Sequence, residues 1–139
     1  MSDAFVIDAS VGFSWVYPSQ ASTETDKLLE EVAAGATVVV PARWFLEVAN
    51  GLLAAQRRKL LTPAERKAAL ERLLSLAFTV DDETARGICR RASDLAEKHG
   101  LSVYDAAYVE AALRRRLPLA TRDRAVKDAA IRCGVRVRG

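Results

Sequence analysis

Four carboxylates stand where strands end or helices begin, and their placement suggests chemistry. Asp8 closes the apolar run 4–7, and Asp123 follows the run 117–120. Glu47 lies within the apolar stripe of one helix, and Asp105 lies in the first turn of another. In an open α/β sheet such positions converge on the crevice outside the carboxyl ends of the strands. Because clustered acids repel one another unless a divalent cation binds them, the pattern predicts a Mg²⁺ or Mn²⁺ site.

Each of these acids also has a purely structural explanation. Asp8 and Asp123 are suited to cap the helices that follow them. Glu47 is suited to pair with Arg43, four residues earlier on the same helical face. Asp105 stands at the third helical position, where an acid completes a capping box. Residue types and spacing alone leave both explanations open.

Composition narrows the class of protein. The chain has 139 residues, half of them apolar, which is sufficient for one globular domain spanning 1–139 with a substantial core. It contains neither an apolar run of membrane length nor a secretory leader pattern, so we expect a cytoplasmic protein without membrane contact. Two cysteines without ligand spacing and a single histidine, His99, argue against zinc and histidine chemistry.

Charge is distributed unevenly along the chain. Residues 114–139 contain nine Lys or Arg and two Asp or Glu, a net charge of +7, whereas residues 1–113 carry twelve and sixteen, a net charge of −4. A basic C-terminal segment on an otherwise acidic domain indicates a polyanionic partner. A solvated surface explains the same asymmetry equally well.

The elements that must position the four acids alternate between strand and helix. Strands are predicted at 4–8, 37–40, 78–80, 117–120 and 135–137, and helices at 10–17, 23–34, 42–59, 62–76, 82–99, 102–115 and 123–133. The unbroken β-branched run at 38–40 is typical of a strand buried on both faces. Helices between consecutive strands predict an α/β fold with a parallel sheet covered on both sides.

The segments that carry the acids resemble the PIN-domain ribonucleases, and among them the VapC-type toxins of bacterial and archaeal toxin–antitoxin pairs. The matching segments are VIDASV at 6–11, residues 41–52 ending in EVANGL, LSVYDAAY at 101–108 and ATRD at 120–123. They span most of the chain in the order and approximate spacing of the family. The resemblance implies a three-layer α/β/α sandwich with a central parallel sheet, and Mg²⁺- or Mn²⁺-dependent cleavage of RNA.

Residue by residue, the resemblance assigns catalysis and metal binding to Asp8, Glu47, Asp105 and Asp123. We expect Asp8 and Asp105 to be the closest ligands, and Glu47 and Asp123 to complete or orient the shell. Polar supporting groups are expected at three further positions: Ser10, Asn50 and Thr121. Contacts to the RNA backbone are expected from the basic C-terminal segment: Arg114, Arg115, Arg116, Arg122 and Arg124.

The resemblance also implies partners. A VapB-type antitoxin should bind and block the site, and we expect an apolar groove for it between the first short helix (Phe13, Trp15 and Tyr17) and the helices at 42–59 and 62–76. A homodimer is implied as well. The rival functions are a non-toxin PIN-domain nuclease that processes RNA, and a non-catalytic RNA-binding or scaffold protein whose acids only cap helices. An Asp-x-Asp phosphatase is disfavoured because Ser10 occupies the second position.

Overall fold

A parallel sheet of five strands lies at the centre of residues 3–139, the part of the chain that the computed structural model describes. The strands are β1 (Ala4–Ile7), β2 (Thr37–Val40), β3 (Phe78–Val80), β4 (Leu119–Ala120) and β5 (Val137–Arg138). Their order is β3-β2-β1-β4-β5, and every neighbouring pair is parallel. The predicted α/β fold is therefore confirmed.

Seven α-helices connect the strands within the described residues. They are α1 (Ala9–Val16), α2 (Thr23–Ala33), α3 (Arg43–Arg57), α4 (Pro63–Leu74), α5 (Ala85–His99), α6 (Val103–Arg115) and α7 (Arg124–Arg132). No described helix is both long enough and apolar enough to cross a membrane.

The predicted boundaries were wrong in three places. Helix α5 begins at Ala85 and not at Asp82, because the hydroxyl of Thr84 caps it by accepting a hydrogen bond from the Gly87 N–H at 3.3 Å. The strand predicted at 117–120 is only two residues long, Leu119–Ala120. The last strand lies at Val137–Arg138 and not at 135–137. The two short strands pair with each other, Leu119 with Val137 and Ala120 with Arg138, and this register determines their bounds.

The helices form two packed groups, one on each face of the sheet. Helix α1 contacts α2, α3 and α4, and α3 also contacts α4, whereas α5 and α7 both contact α6. Right-handed crossovers place the first group on one face and the second on the other, since the chain moves across the sheet in opposite directions before and after β3. The strand order reverses between β1 and β4, and the carboxyl ends of such a pair form the usual ligand crevice.

Close packing of α1 on α3 fixes both helices beside that crevice. A Cβ atom at Gly12 would lie 2.7 Å from the Trp44 ring, and one at Gly51 would lie 1.9 Å from the Phe13 ring. Each glycine therefore allows an aromatic ring of the other helix to approach its backbone. The Trp44 indole N–H also donates to the backbone carbonyl of Asp8 at 3.1 Å, which ties α3 to the end of β1.

Candidate metal centre

Asp8 follows β1 directly and caps α1 with its side chain. Its Oδ1 accepts hydrogen bonds from the Ser10 N–H at 3.1 Å and from the Ser10 hydroxyl at 2.5 Å. Its Oδ2 accepts a hydrogen bond from the Thr121 hydroxyl, which follows β4. The side chain is buried, with Asp8 only 5% exposed. Both oxygens of the carboxylate are therefore oriented by the two strand ends at the point where strand order reverses.

The two hydroxyl groups around Asp8 have their polarity set by backbone amides. The Arg122 N–H donates to the Ser10 hydroxyl oxygen at 2.9 Å, and the Asp123 N–H donates to the Thr121 hydroxyl oxygen at 3.0 Å. A backbone N–H can only donate, so each hydroxyl uses a lone pair there and directs its proton to Asp8. This arrangement presents Asp8 as an oriented acceptor, the form in which a carboxylate binds a cation.

Burial raises the pKa of the Asp8 carboxyl to about 6. Hydrogen bonds from Ser10 and Thr121 act against this rise, and the negative charge of Asp105 adds to it. A buried carboxylate without a cationic partner is unfavourable, because desolvation penalises its charged form. A bound cation would remove that penalty.

Asp105 lies at the electrostatic centre of the four predicted acids. Burial and the charge of Asp123 raise its own pKa. Its charge contributes in turn to the raised pKa values of Asp8 and Glu47, for each of which burial is the larger cause. The charge of Asp105 thus interacts with each of the other three acids, of which Glu47 lies on α3, whereas Asp8 and Asp123 lie just after strand ends.

The structural explanations for these acids are also realised. Asp123 caps α7 by accepting a hydrogen bond from the Val126 N–H at 3.0 Å, and Arg43 pairs with Glu47 at 3.2 Å. The Ser102 hydroxyl accepts from the Asp105 N–H at 3.1 Å, and the return bond that would complete a capping box is absent from the described residues. Capping therefore orients the acids of the cluster and does not replace the interaction among them.

The donor set is suited to a hard divalent cation. All four side chains offer carboxylate oxygens, the ligands that Mg²⁺ and Mn²⁺ prefer. Within residues 3–139, no group of three or more Asp, Glu, His or Cys side chains is arranged to hold an ion unaided. Mg²⁺ commonly binds through one or two carboxylates and keeps several waters, so this donor set fits such an ion.

One predicted supporting residue lies away from this network. Asn50 is exposed on α3, and its side chain forms no hydrogen bond among the described residues. Asn50 lies three residues after Glu47, on a neighbouring part of the same helical face, with its side chain exposed. Ser10 and Thr121, in contrast, both contact Asp8.

The candidate RNA-contacting arginines separate into two groups. Arg114 forms a two-pronged pair with the buried Asp81, with nitrogen–oxygen distances of 3.1 and 2.5 Å, and Arg115 contacts the same carboxylate at 2.7 Å. These two side chains are thus occupied within the fold. Arg116, Arg122 and Arg124 are exposed, and the Arg122 guanidinium donates to the Gln20 carbonyl.

Sequence reasoning missed Tyr108, which lies one turn after Asp105 on α6. Its hydroxyl faces Glu47, and the ring is buried. The only available signal was the helical spacing of three residues from Asp105, which places both side chains on neighbouring parts of one face. Spacing alone does not distinguish such a tyrosine from an ordinary core residue.

Comparison with known proteins shows one family. The sequence-family model of the PIN domain matches residues 5–132 of this chain. Ribonuclease VapC3 of Pyrobaculum aerophilum is 32% identical over 123 residues, which cover 88% of this chain and 92% of that protein. Among solved structures, PAE2754 from Pyrobaculum aerophilum has a TM-score of 0.71 at 22% identity, covering 93% of this chain and 87% of its own. VapBC2 from Rickettsia felis, bound to a DNA fragment from its promoter, has a TM-score of 0.68 at 14% identity, covering 96% of both chains.

Proposed function

The chain belongs to the PIN domain family, and on that premise we propose that it is a ribonuclease toxin that uses Mg²⁺ or Mn²⁺ to cleave RNA phosphodiesters. The observation that carries this proposal is the buried Asp8 carboxylate, oriented by four donors and within reach of the negative charge of Asp105. Such an arrangement is unfavourable without a cation and useful with one.

The residues of the chain have distinct tasks in this proposal. Asp8 and Asp105 bind the cation, and Glu47 and Asp123 complete or orient its shell. When bound, the cation supplies Lewis acidity that makes water a stronger nucleophile at neutral pH and offsets the charge that develops on the phosphate. Ser10 and Thr121 keep Asp8 in the orientation of an acceptor, with both hydroxyl protons directed towards it.

The RNA backbone would be bound by the exposed arginines beside these acids. The Arg122 N–H donates to the Ser10 hydroxyl, and Arg124 begins the helix that Asp123 caps, so the two arginines flank Asp123 in the chain. Phosphate contacts of this kind bring affinity without sequence preference. Arg116 lies at the C-terminal end of α6 and would contact a more distant part of the RNA. Arg114 and Arg115 contribute less, since buried Asp81 already binds them.

A VapB-type antitoxin would bind along helices α1 and α3. A cavity of about 270 Å³ lies there, lined by Ser10, Phe13, Tyr17, Gly51, Arg58 and Arg122 among others. It joins an apolar floor to the network around Asp8, so a segment bound in it would reach the acids. Trp15, also predicted to line this groove, is directed elsewhere, because its indole N–H donates to the Thr25 carbonyl at 2.9 Å.

A second copy of the chain is the other partner in this proposal. Leu46 on α3 is 72% exposed, and Val103 and Tyr104 at the start of α6 are exposed as well. These side chains flank Glu47 and Asp105 in sequence, and pairing of two chains would cover them. Light scattering across a range of concentrations should give the mass of a dimer, and a Leu46→Lys substitution should shift it towards that of a monomer.

The central experiment measures cleavage of mixed RNA with Mg²⁺, with Mn²⁺ and with EDTA. We expect cleavage only with a divalent cation, and its loss in the Asp8→Asn and Asp105→Asn variants. Asp128→Asn is the matched control, because Asp128 is on α7 five residues after Asp123, half exposed and 3.9 Å from Arg124. Cleavage in EDTA, or cleavage that survives either site substitution, would refute the mechanism.

Two further tests separate a toxin from an RNA-processing nuclease. Expression of the wild-type chain should arrest growth, and co-expression of a small protein encoded directly upstream should restore it. Growth unaffected by an active nuclease would favour the processing role. Binding of RNA without cleavage under every cation condition would favour the non-catalytic alternative.

A further inference from the structure

The hydroxyl of Tyr108 is buried without a hydrogen-bond partner, alone among the buried side-chain polar atoms of residues 3–139. The residue is 2% exposed and lies on α6, one turn after Asp105. Buried polar groups are nearly always hydrogen-bonded, and an unpartnered one costs stability. The Tyr108 hydroxyl therefore requires an explanation beyond packing.

Glu47 is the group that this hydroxyl faces. A tyrosine phenol keeps its proton at neutral pH, so the Tyr108 hydroxyl is available as a donor. Burial raises the pKa of Glu47, and the Tyr108 hydroxyl and the Arg43 guanidinium both act against that rise. The two side chains are thus close enough to interact, but their arrangement does not meet the geometry of a hydrogen bond.

Arg43 draws Glu47 towards the surface instead. Its Nε lies 3.2 Å from the Glu47 Oε1, and its guanidinium stacks on the Tyr104 ring at 3.5 Å from the ring centre. Glu47 therefore lies between an exposed cation on its own helix and a buried donor on α6. Exposed ion pairs of this kind are weak, so Arg43 can be displaced at little cost.

We propose that Tyr108 is a positioning residue, whose O–H donates to the Glu47 carboxylate when Glu47 leaves Arg43 and turns inward to serve a divalent cation. The inference rests on the proposed function, since it requires a cation at the acids. The hydroxyl that lacks a partner without a cation would then donate to Glu47 when a cation is bound. Outer groups that orient metal-binding carboxylates commonly alter metal affinity by 10–100-fold.

The test compares Tyr108→Phe with wild type by thermal unfolding in EDTA and by titration with Mn²⁺ alone, followed by electron paramagnetic resonance of the free ion. In EDTA, the variant should unfold at the same temperature or higher, because it loses only an unsatisfied buried group. With Mn²⁺, its dissociation constant should rise about 10-fold. Tyr104→Phe is the matched control: it lies one turn earlier on α6, loses an exposed residue's hydroxyl and keeps the ring over Arg43.

An unchanged or higher unfolding temperature together with weaker Mn²⁺ binding would distinguish a residue that positions Glu47 from one that only supports the fold. A lower unfolding temperature in EDTA would show that the hydroxyl supports the fold, and equal Mn²⁺ affinity would show that it does not serve the cation. Either result overturns the inference while leaving the nuclease proposal standing. Failure of the wild-type chain to bind Mn²⁺ overturns both.

Discussion

Replacing Asp8 with Asn should stabilise the cation-free protein at neutral pH while abolishing cleavage. The pKa of Asp8 rises from 3.8 to about 6 because the carboxyl is buried. A folded-state pKa above the unfolded value means that the folded protein binds the proton more tightly. The Asp8 contribution therefore favours folding below pH 3.8 and is lost as the pH rises through about 6.

The magnitude follows from the size of the shift. About two pKa units correspond to roughly 3 kcal/mol of stability lost between pH 4 and pH 7, at 1.36 kcal/mol per unit. Asn is neutral at every pH and avoids this loss, but it forms poorer hydrogen bonds with Ser10 and Thr121, which costs about 1–2 kcal/mol. A net gain of about 1–2 kcal/mol remains at pH 7, equivalent to about 3–10 °C in Tm for a chain of this size.

Urea unfolding from pH 4 to pH 8, in EDTA, measures this difference directly. The wild-type free energy of unfolding should fall relative to that of Asp8→Asn as the pH rises, and the two curves should cross between pH 4 and pH 6. Addition of Mn²⁺ at pH 7 should reverse the order, because ligand binding to the folded state stabilises only the protein that retains the site.

The reasoning would be refuted by a variant that is less stable than wild type by the same amount at every pH. That result would mean that the stability difference does not depend on titration of the Asp8 carboxyl, since Asn and Asp cap helices about equally well and only a raised pKa makes the difference vary with pH. Asp128→Asn, at a half-exposed site on α7, is the control and should change neither the stability nor its pH dependence.

Four further predictions concern other residues of the fold and the candidate site. Thr121→Val removes a hydroxyl that orients the buried carboxylate, so the kcat/KM for RNA cleavage should fall about 10–100-fold, and an unchanged value would contradict the orienting role. Arg122→Ala should lower the slope of log affinity against log salt by about 0.7 for single-stranded RNA. Arg114→Ala should instead destabilise the fold by roughly 2–4 kcal/mol, since it weakens a buried ion pair, and calorimetry with a filter-binding salt series separates the two. Gly51→Ala should cost about 1–3 kcal/mol in urea unfolding, because a Cβ would lie 1.9 Å from the Phe13 ring, and an undiminished midpoint would show that α1 shifts freely.

Much of the architecture follows from local features of the chain. The β-branched run of β2 is buried on both faces, as its composition predicts. Thr62, Pro63 and Glu65 begin α4 with a complete capping box, and Gly100 ends α5 in a left-handed conformation. These signals involve residues within four positions of one another, so they can be recognised in the sequence without tertiary structure. The same locality explains the errors, because the bounds of β4 and β5 depend on their pairing with each other.

The four candidate acids were proposed from strand ends, helix starts and the resemblance of their segments to one family, and their role stays a prediction. The environment of these acids could not be predicted from local features. Asp8 and Thr121 are 113 positions apart in the chain, and the bond between them exists because β1 and β4 are neighbours in the sheet. The raised pKa of Asp8 is due chiefly to burial, which is a property of the folded protein.

Tertiary structure likewise decided which basic and aromatic residues are available to the site. Arg114 and Arg122 are equivalent in the sequence as members of one basic segment, yet Asp81 binds the first and the second remains exposed beside Ser10. Tyr108 has the spacing of a core residue, and only the folded structure brings its buried hydroxyl next to Glu47. Local sequence therefore determined the elements and the donor atoms. The pKa values of the acids and the ion-pair partners of each charged residue depend on contacts between segments that are distant in the sequence, so local patterns could not predict them.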